Sequence, residues 1–60
     1  MSTGELIRII NYVDDINTTL RRITASVSSM EADERKRIAE SLRGAASNLN
    51  TLISSLEKGA

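Results

Sequence analysis

Apolar residues in the first half of the chain recur at alternating intervals of three and four residues. This heptad repeat is typical of a helix with one continuous apolar seam, and it excludes a strand, whose side chains alternate every two residues. The a and d positions of this first helix are Leu6, Ile9, Val13, Ile16, Leu20, Ile23, Val27 and Met30. The pattern predicts a helix over about residues 4–28.

The second half repeats the pattern with smaller residues. Its a and d positions are Ala39, Leu42, Ala46, Leu49, Ile53 and Leu56. Ile38, Ala45 and Leu52 flank this seam at position g, so the apolar stripe is wider than a plain a/d seam. A stripe of that width indicates a helix with more than one neighbour, and it predicts a second helix over about residues 32–57.

A short polar segment separates the two patterns and predicts a turn over about residues 29–32. Asp33 is the expected N-cap of the second helix, because its carboxylate can accept from free backbone N–H groups. Ser28 with Glu31 three residues later is an alternative capping box. Helices of nearly equal length joined by a short turn predict an antiparallel hairpin.

One hairpin leaves about half of each apolar stripe in water, and ordering costs of roughly 1.5 kcal/mol per residue then outweigh burial. Two hairpins packed face to face bury both stripes. The expected fold class is therefore all-α: an antiparallel helical hairpin that forms a homodimeric four-helix bundle. Both mutual orientations of the hairpins bury the same stripes, and the pattern does not choose between them.

The composition of this single domain of 60 residues excludes several kinds of functional site. The absence of Cys and His excludes disulfides, the usual zinc ligands, and the thiol and imidazole of most small hydrolases. Asp14 and Asp15 are adjacent on a helix and diverge by about 100°, which favours a solvated face over a metal site. We expect no enzyme, no metal and no cofactor.

The bulk properties indicate a protein without a membrane anchor. Eight basic and eight acidic side chains give a formal charge of zero, so only a local patch would attract nucleic acid. No apolar run approaches the ~20 residues of a membrane span, and the N-terminus lacks the basic region of a signal peptide. We expect a cytoplasmic protein that does not bind a membrane.

A segment after the turn resembles part of a known protein family. They are Ala32-Asp33-Glu34, Ile38, Glu40-Ser41-Leu42, Ala46 and Leu49. This segment, with its small a and large d residues, resembles the second helix of the Rop (repressor of primer) family, and Asn11 and Ile16 match in the first helix. The resemblance implies a homodimer of helical hairpins. It also implies plasmid copy control by binding a pair of structured RNA stem-loops through paired first helices.

Asn11 is the one candidate RNA contact that the resemblance supplies. Asp15 stands where the family keeps a Phe, and Asp14 where it keeps an Arg, so acids lie where phosphates would approach. Further candidates chosen for charge and outward position are Arg8, Arg21 and Arg22. The alternative for these arginines is a solvated face balanced by neighbouring acids. Our leading hypothesis is a small RNA-binding regulator.

The competing hypothesis is a structural or protein-interaction bundle without RNA binding. Ile7, Ile10 and Tyr12 lie outside the seam of the first helix. Flanking positions at the dimer interface explain Ile10 and Tyr12 but not Ile7 at position b. The competing hypothesis therefore takes Ile7, Ile10 and Tyr12 together as a docking site for another protein. Tyr12 could instead stack on a base. Arg35 falls at a d position near the turn, where its stem packs and its charged head reaches water.

Overall fold

The computed structural model describes residues 2–59, and within that range the chain is two helices with no strand. Helix α1 spans Thr3–Ser26, a single 3₁₀ turn covers Val27–Ser29, and helix α2 spans Ala32–Lys58. The chain is therefore all-α, as its apolar periodicity predicts.

Helix α1 begins at a side-chain cap and ends in a tightened turn. The Ser2 hydroxyl oxygen accepts from the Glu5 backbone N–H at 3.2 Å. At the other end the α-helix stops at Ser26, two residues before the predicted residue 28, and continues as the 3₁₀ turn. The Ser29 hydroxyl donates to the Ser26 carbonyl at 2.9 Å, which shows how serine side chains compete for the backbone groups of the last helical turn.

Helix α2 begins at a reciprocal cap formed by two glutamates. The Glu31 backbone N–H donates to Glu34 Oε1 at 2.8 Å, and the Glu31 side chain accepts from the Glu34 backbone N–H. The prediction that Asp33 is the N-cap is wrong, because Asp33 lies inside the first turn. The alternative box of Ser28 with Glu31 is wrong as well. Two paired glutamates satisfy two free donors, whereas one aspartate satisfies one.

Helix α2 folds back beside α1 to make an open hairpin. Side chains of both helices line a common groove, and the Cα atoms extend over 45 × 21 × 10 Å. Within residues 2–59, no two residues twelve or more positions apart bring their Cα atoms within 8 Å. The helices therefore lie side by side without close backbone packing.

The hairpin alone has no buried core. None of the residues that the structure describes is buried, and only Ile23, Met30 and Leu42 are half-buried. All three lie in the half of the hairpin nearer the turn, where the connection holds the two helices together. Since hydrophobic burial is the dominant favourable term in folding, the hairpin lacks the main source of its own stability.

Candidate functional site

The most prominent surface of the hairpin is its apolar seam, which we define as the a and d positions of both helices. Most of its large side chains remain between 42% and 69% exposed. These residues are Leu6, Ile9, Val13, Ile16, Leu20, Val27, Leu49, Ile53 and Leu56. Ala39 and Ala46 are also exposed, whereas Ile23, Met30 and Leu42 are half-buried. The predicted dimer core is thus an open surface on one chain.

A groove of about 540 Å³ lies between the helices midway along the seam. Its lining is Ile16, Leu20, Leu42, Ala45, Ala46, Asn48, Leu49 and Leu52. Asn48 is the single polar residue in that lining, and the two adjacent alanines leave the groove its depth. A groove with this lining suits apolar side chains, because it offers almost no polar group to pair with a polar ligand.

The exposed area of the chain is larger than that of a compact protein of its mass. The hairpin exposes 5369 Å². A compact globular chain of the same mass, 6.6 kDa, exposes about 3,900 Å². The excess of roughly 1,500 Å² is too large for a scatter of single surface residues and reflects the open apolar seam.

Arg35 closes the seam at the turn. Its guanidinium Nη1 donates to the Met30 carbonyl at 2.6 Å, and its side chain lines a smaller groove of about 180 Å³. The other residues of that lining are apolar: Ile23, Val27, Met30, Ile38, Ala39 and Leu42. The apolar stem therefore extends the seam while the charged head satisfies a carbonyl of the turn. The position of Arg35 was predictable from the heptad, but its bond to Met30 was not.

The four candidate RNA contacts are all exposed on α1, but they do not form one cluster. Arg8 and Asn11 lie one turn apart, and Arg21 and Arg22 lie near the other end of the helix. Thirteen residues separate Arg8 from Arg21, which corresponds to about 20 Å along the helix axis. The exposed acids Asp14 and Asp15 stand between the two groups.

A second apolar surface lies beside the start of the seam. Ile7 is 55% exposed, Ile10 49% and Tyr12 57%. Because Ile7 is at position b, a partner that covers the a and d positions leaves Ile7 in water. On the single chain all three side chains are similarly exposed, so the distinction between Ile7 and the two flanking residues rests on the heptad alone.

Other classes of site are not found in the part of the chain that is described. Residues 2–59 contain no group of three or more acidic, His or Cys side chains able to hold a metal ion. Neither α1 nor α2 is long and apolar enough to cross a membrane. No family model, curated protein or solved structure matches the chain.

Proposed function

We propose that the chain acts as a self-associating helical hairpin, in which two copies form a four-helix bundle through their apolar seams. The observation that carries this proposal is the exposed area. Two separate hairpins would expose about 10,700 Å², and a compact protein of twice the mass exposes about 6,400 Å². The difference of roughly 4,300 Å² lies within the range that obligate homodimers bury.

A second copy is the occupant that best fits the groove. The first half of the α2 seam alternates small residues at a, Ala39 and Ala46, with large residues at d, Leu42 and Leu49. Facing layers of this kind interdigitate, since a large side chain of one copy fills the space left by a small one of the other. The long, unbroken seam matches the length of another hairpin.

Sedimentation equilibrium at micromolar concentration tests this proposal. We expect a species of twice the chain mass, with helicity by circular dichroism that falls on dilution. Leu20→Asp places a charge in the seam and should abolish both the dimer and the helicity. Thr18→Asp, two residues away and outside the seam, is the matched control and should leave both intact. A folded monomer at micromolar concentration would refute the proposal.

A second candidate function is binding of structured RNA by this dimer, as in a Rop-like regulator. The observation that favours it is the exposure of Asn11 together with Arg8, Arg21 and Arg22 on α1. If two α1 helices lie antiparallel, Arg8 of one copy comes level with Arg21 and Arg22 of the other. Dimerisation would then join cationic groups that are about 20 Å apart on one chain.

A gel-shift titration with a pair of complementary RNA stem-loops tests this function. We expect binding that weakens steeply as salt rises, because phosphate contacts release counterions. Arg21→Glu with Arg22→Glu should abolish the shift and leave the dimer intact. Arg37→Glu with Lys58→Glu makes the same charge change on α2 and should reduce binding much less. No shift at low salt would exclude RNA binding for those stem-loops.

A further inference from the structure

The turn between the helices contains no residue that forces the chain to reverse. Residues 27–31 include neither glycine nor proline, and within residues 2–59 the only positive φ is at Gly59. Only Met30, with φ −90° and ψ 145°, and Glu31, with φ −72° and ψ 162°, separate the 3₁₀ turn from α2. Both φ values lie within the helical range, so rotation of two ψ angles to about −40° would join α1 and α2 in one helix.

Such a helix would carry one apolar face along its whole length, which we call the continuous face. Residues eighteen positions apart point in nearly the same direction on an α-helix, because that spacing is about five turns. Two such rows are entirely apolar: Leu20 with Ile38 and Leu56, and Ile9 with Val27 and Ala45. The α1 seam and the g and d positions of α2 would therefore share the continuous face.

Two glutamates interrupt the continuous face, and both belong to the turn. The same spacing places each between apolar residues: Glu31 between Val13 and Leu49, and Glu34 between Ile16 and Leu52. In the hairpin the two glutamates form the reciprocal cap of α2 instead, and both side chains are exposed. Because burial of an unpaired carboxylate is costly, Glu31 and Glu34 favour the hairpin both as a cap and as charges that oppose a continuous helix.

Outside this cap, the hairpin is held by few contacts. None of residues 2–59 is buried, and none of their Cα atoms lies within 8 Å of another that is twelve or more positions away. The turn bonds are local: the Met30 N–H donates to the Val27 carbonyl at 3.1 Å, and Arg35 Nη1 donates to the Met30 carbonyl. A continuous helix exchanges such bonds for regular helical ones and removes two helix ends, so backbone hydrogen bonding gives the hairpin no large advantage.

We propose that Glu31 and Glu34 select between two states of the chain: the hairpin, and one continuous helix over residues 3–58. In the second state another opened copy covers the continuous face and packs antiparallel, so that α1 of one chain lies against α2 of the other. This exchange of identical elements is domain swapping, and it retains the helix pairing of the hairpin. The inference rests on the proposed self-association and concerns its regulation.

Energy transfer between two dyes on one chain distinguishes the two states. The chain has no cysteine, so Gly4→Cys with Lys58→Cys places one dye near the free end of each helix. In the hairpin both dyes lie at the end away from the turn, and the Cα atoms extend over only 45 × 21 × 10 Å. In the continuous helix the two sites are about 80 Å apart, at about 1.5 Å per residue. An excess of unlabelled chains restricts transfer to dyes on the same chain.

Replacement of the two glutamates tests the selection directly. Glu31→Leu with Glu34→Leu removes the cap and completes the continuous face, so most chains should change from efficient to negligible transfer. Glu40→Leu with Glu57→Leu makes the same replacement on α2 outside that face, and transfer should stay efficient. Efficient transfer in the first variant, or equal loss in the second, would overturn the proposal.

A proline at the start of α2 provides a second control. Ala32 is the first residue of α2 and follows the extended Glu31, a position where proline is tolerated, whereas proline inside a continuous helix breaks it. Ala32→Pro, added to Glu31→Leu with Glu34→Leu, should therefore restore efficient transfer. Transfer that stays negligible in this variant would show that a cause other than helix continuation separates the dyes, and would overturn the proposal.

The chain with both glutamates intact should also contain a minor population with negligible transfer. Ser28→Ala with Ser29→Ala should enlarge that population about fivefold, because alanine is a better helix former than serine at both positions. Its absence from both chains would overturn the proposal. Sedimentation equilibrium of the same samples separates the two proposals: a dimer whose transfer stays efficient in every variant overturns the two-state turn alone, whereas a monomer overturns the self-association as well.

Discussion

The same substitution, isoleucine to alanine, can be made inside the seam and on the surface beside it. Ile16 at position d is 47% exposed in the hairpin, and Ile7 at position b is 55% exposed. Full burial of an isoleucine stabilises by about 1.5–3 kcal/mol, so covering the exposed half of Ile16 contributes about 1 kcal/mol per copy. Ile16→Ala should therefore cost about 2 kcal/mol per dimer, which raises the dissociation constant roughly thirtyfold.

Ile7→Ala is the control for this measurement. It removes the same atoms and brings the same gain in helix propensity, but it lies outside the seam. Sedimentation equilibrium of the two variants should give a dissociation constant near that of the unaltered chain for Ile7→Ala and a much larger one for Ile16→Ala. Equal weakening by both variants would show that the interface does not follow the a and d positions.

Three further changes probe the helices and the second apolar surface. Gly44→Ala should stabilise by about 1 kcal/mol per helix, since a Cβ built there meets nothing within 4 Å, and thermal unfolding by circular dichroism would detect it. Glu34→Ala removes the bond to the Glu31 N–H and should destabilise by about 1 kcal/mol, whereas Glu34→Gln, which keeps an acceptor, should cost less; urea unfolding compares them. Ile7→Asp should leave the thermal transition unchanged, and a large loss of stability would place Ile7 inside the interface.

Local sequence patterns predicted the helices well because their causes are local. The 3-4 spacing of apolar residues and the absence of proline indicate two helices, and both are present. The ends of the helices were less predictable, because several groups compete for the same donors and acceptors. Asp33, Ser28 and the glutamates are all plausible caps by type, and only the folded turn shows that Glu31 and Glu34 pair.

The candidate site was also predictable only in part. The heptad identified the seam residues, and its large side chains lie on an exposed surface except for the half-buried Ile23, Met30 and Leu42. Their dimeric role stays a prediction. The arginines were chosen by charge and position alone, and those criteria did not show that they occupy two separate parts of α1. Spacing along a helix axis decides which charges act together on one chain.

The sequence by itself determined that this chain is a pair of amphipathic helices, because 3.5-residue periodicity and capping chemistry act over a few neighbouring residues. Only the tertiary structure showed how much of its apolar surface one chain buries by itself. The hairpin brings its helices side by side yet buries no described residue, since two helices cannot cover two wide stripes. The structure also anchored Arg35 to the Met30 carbonyl, a contact between residues on either side of the turn that depends on the path of the chain.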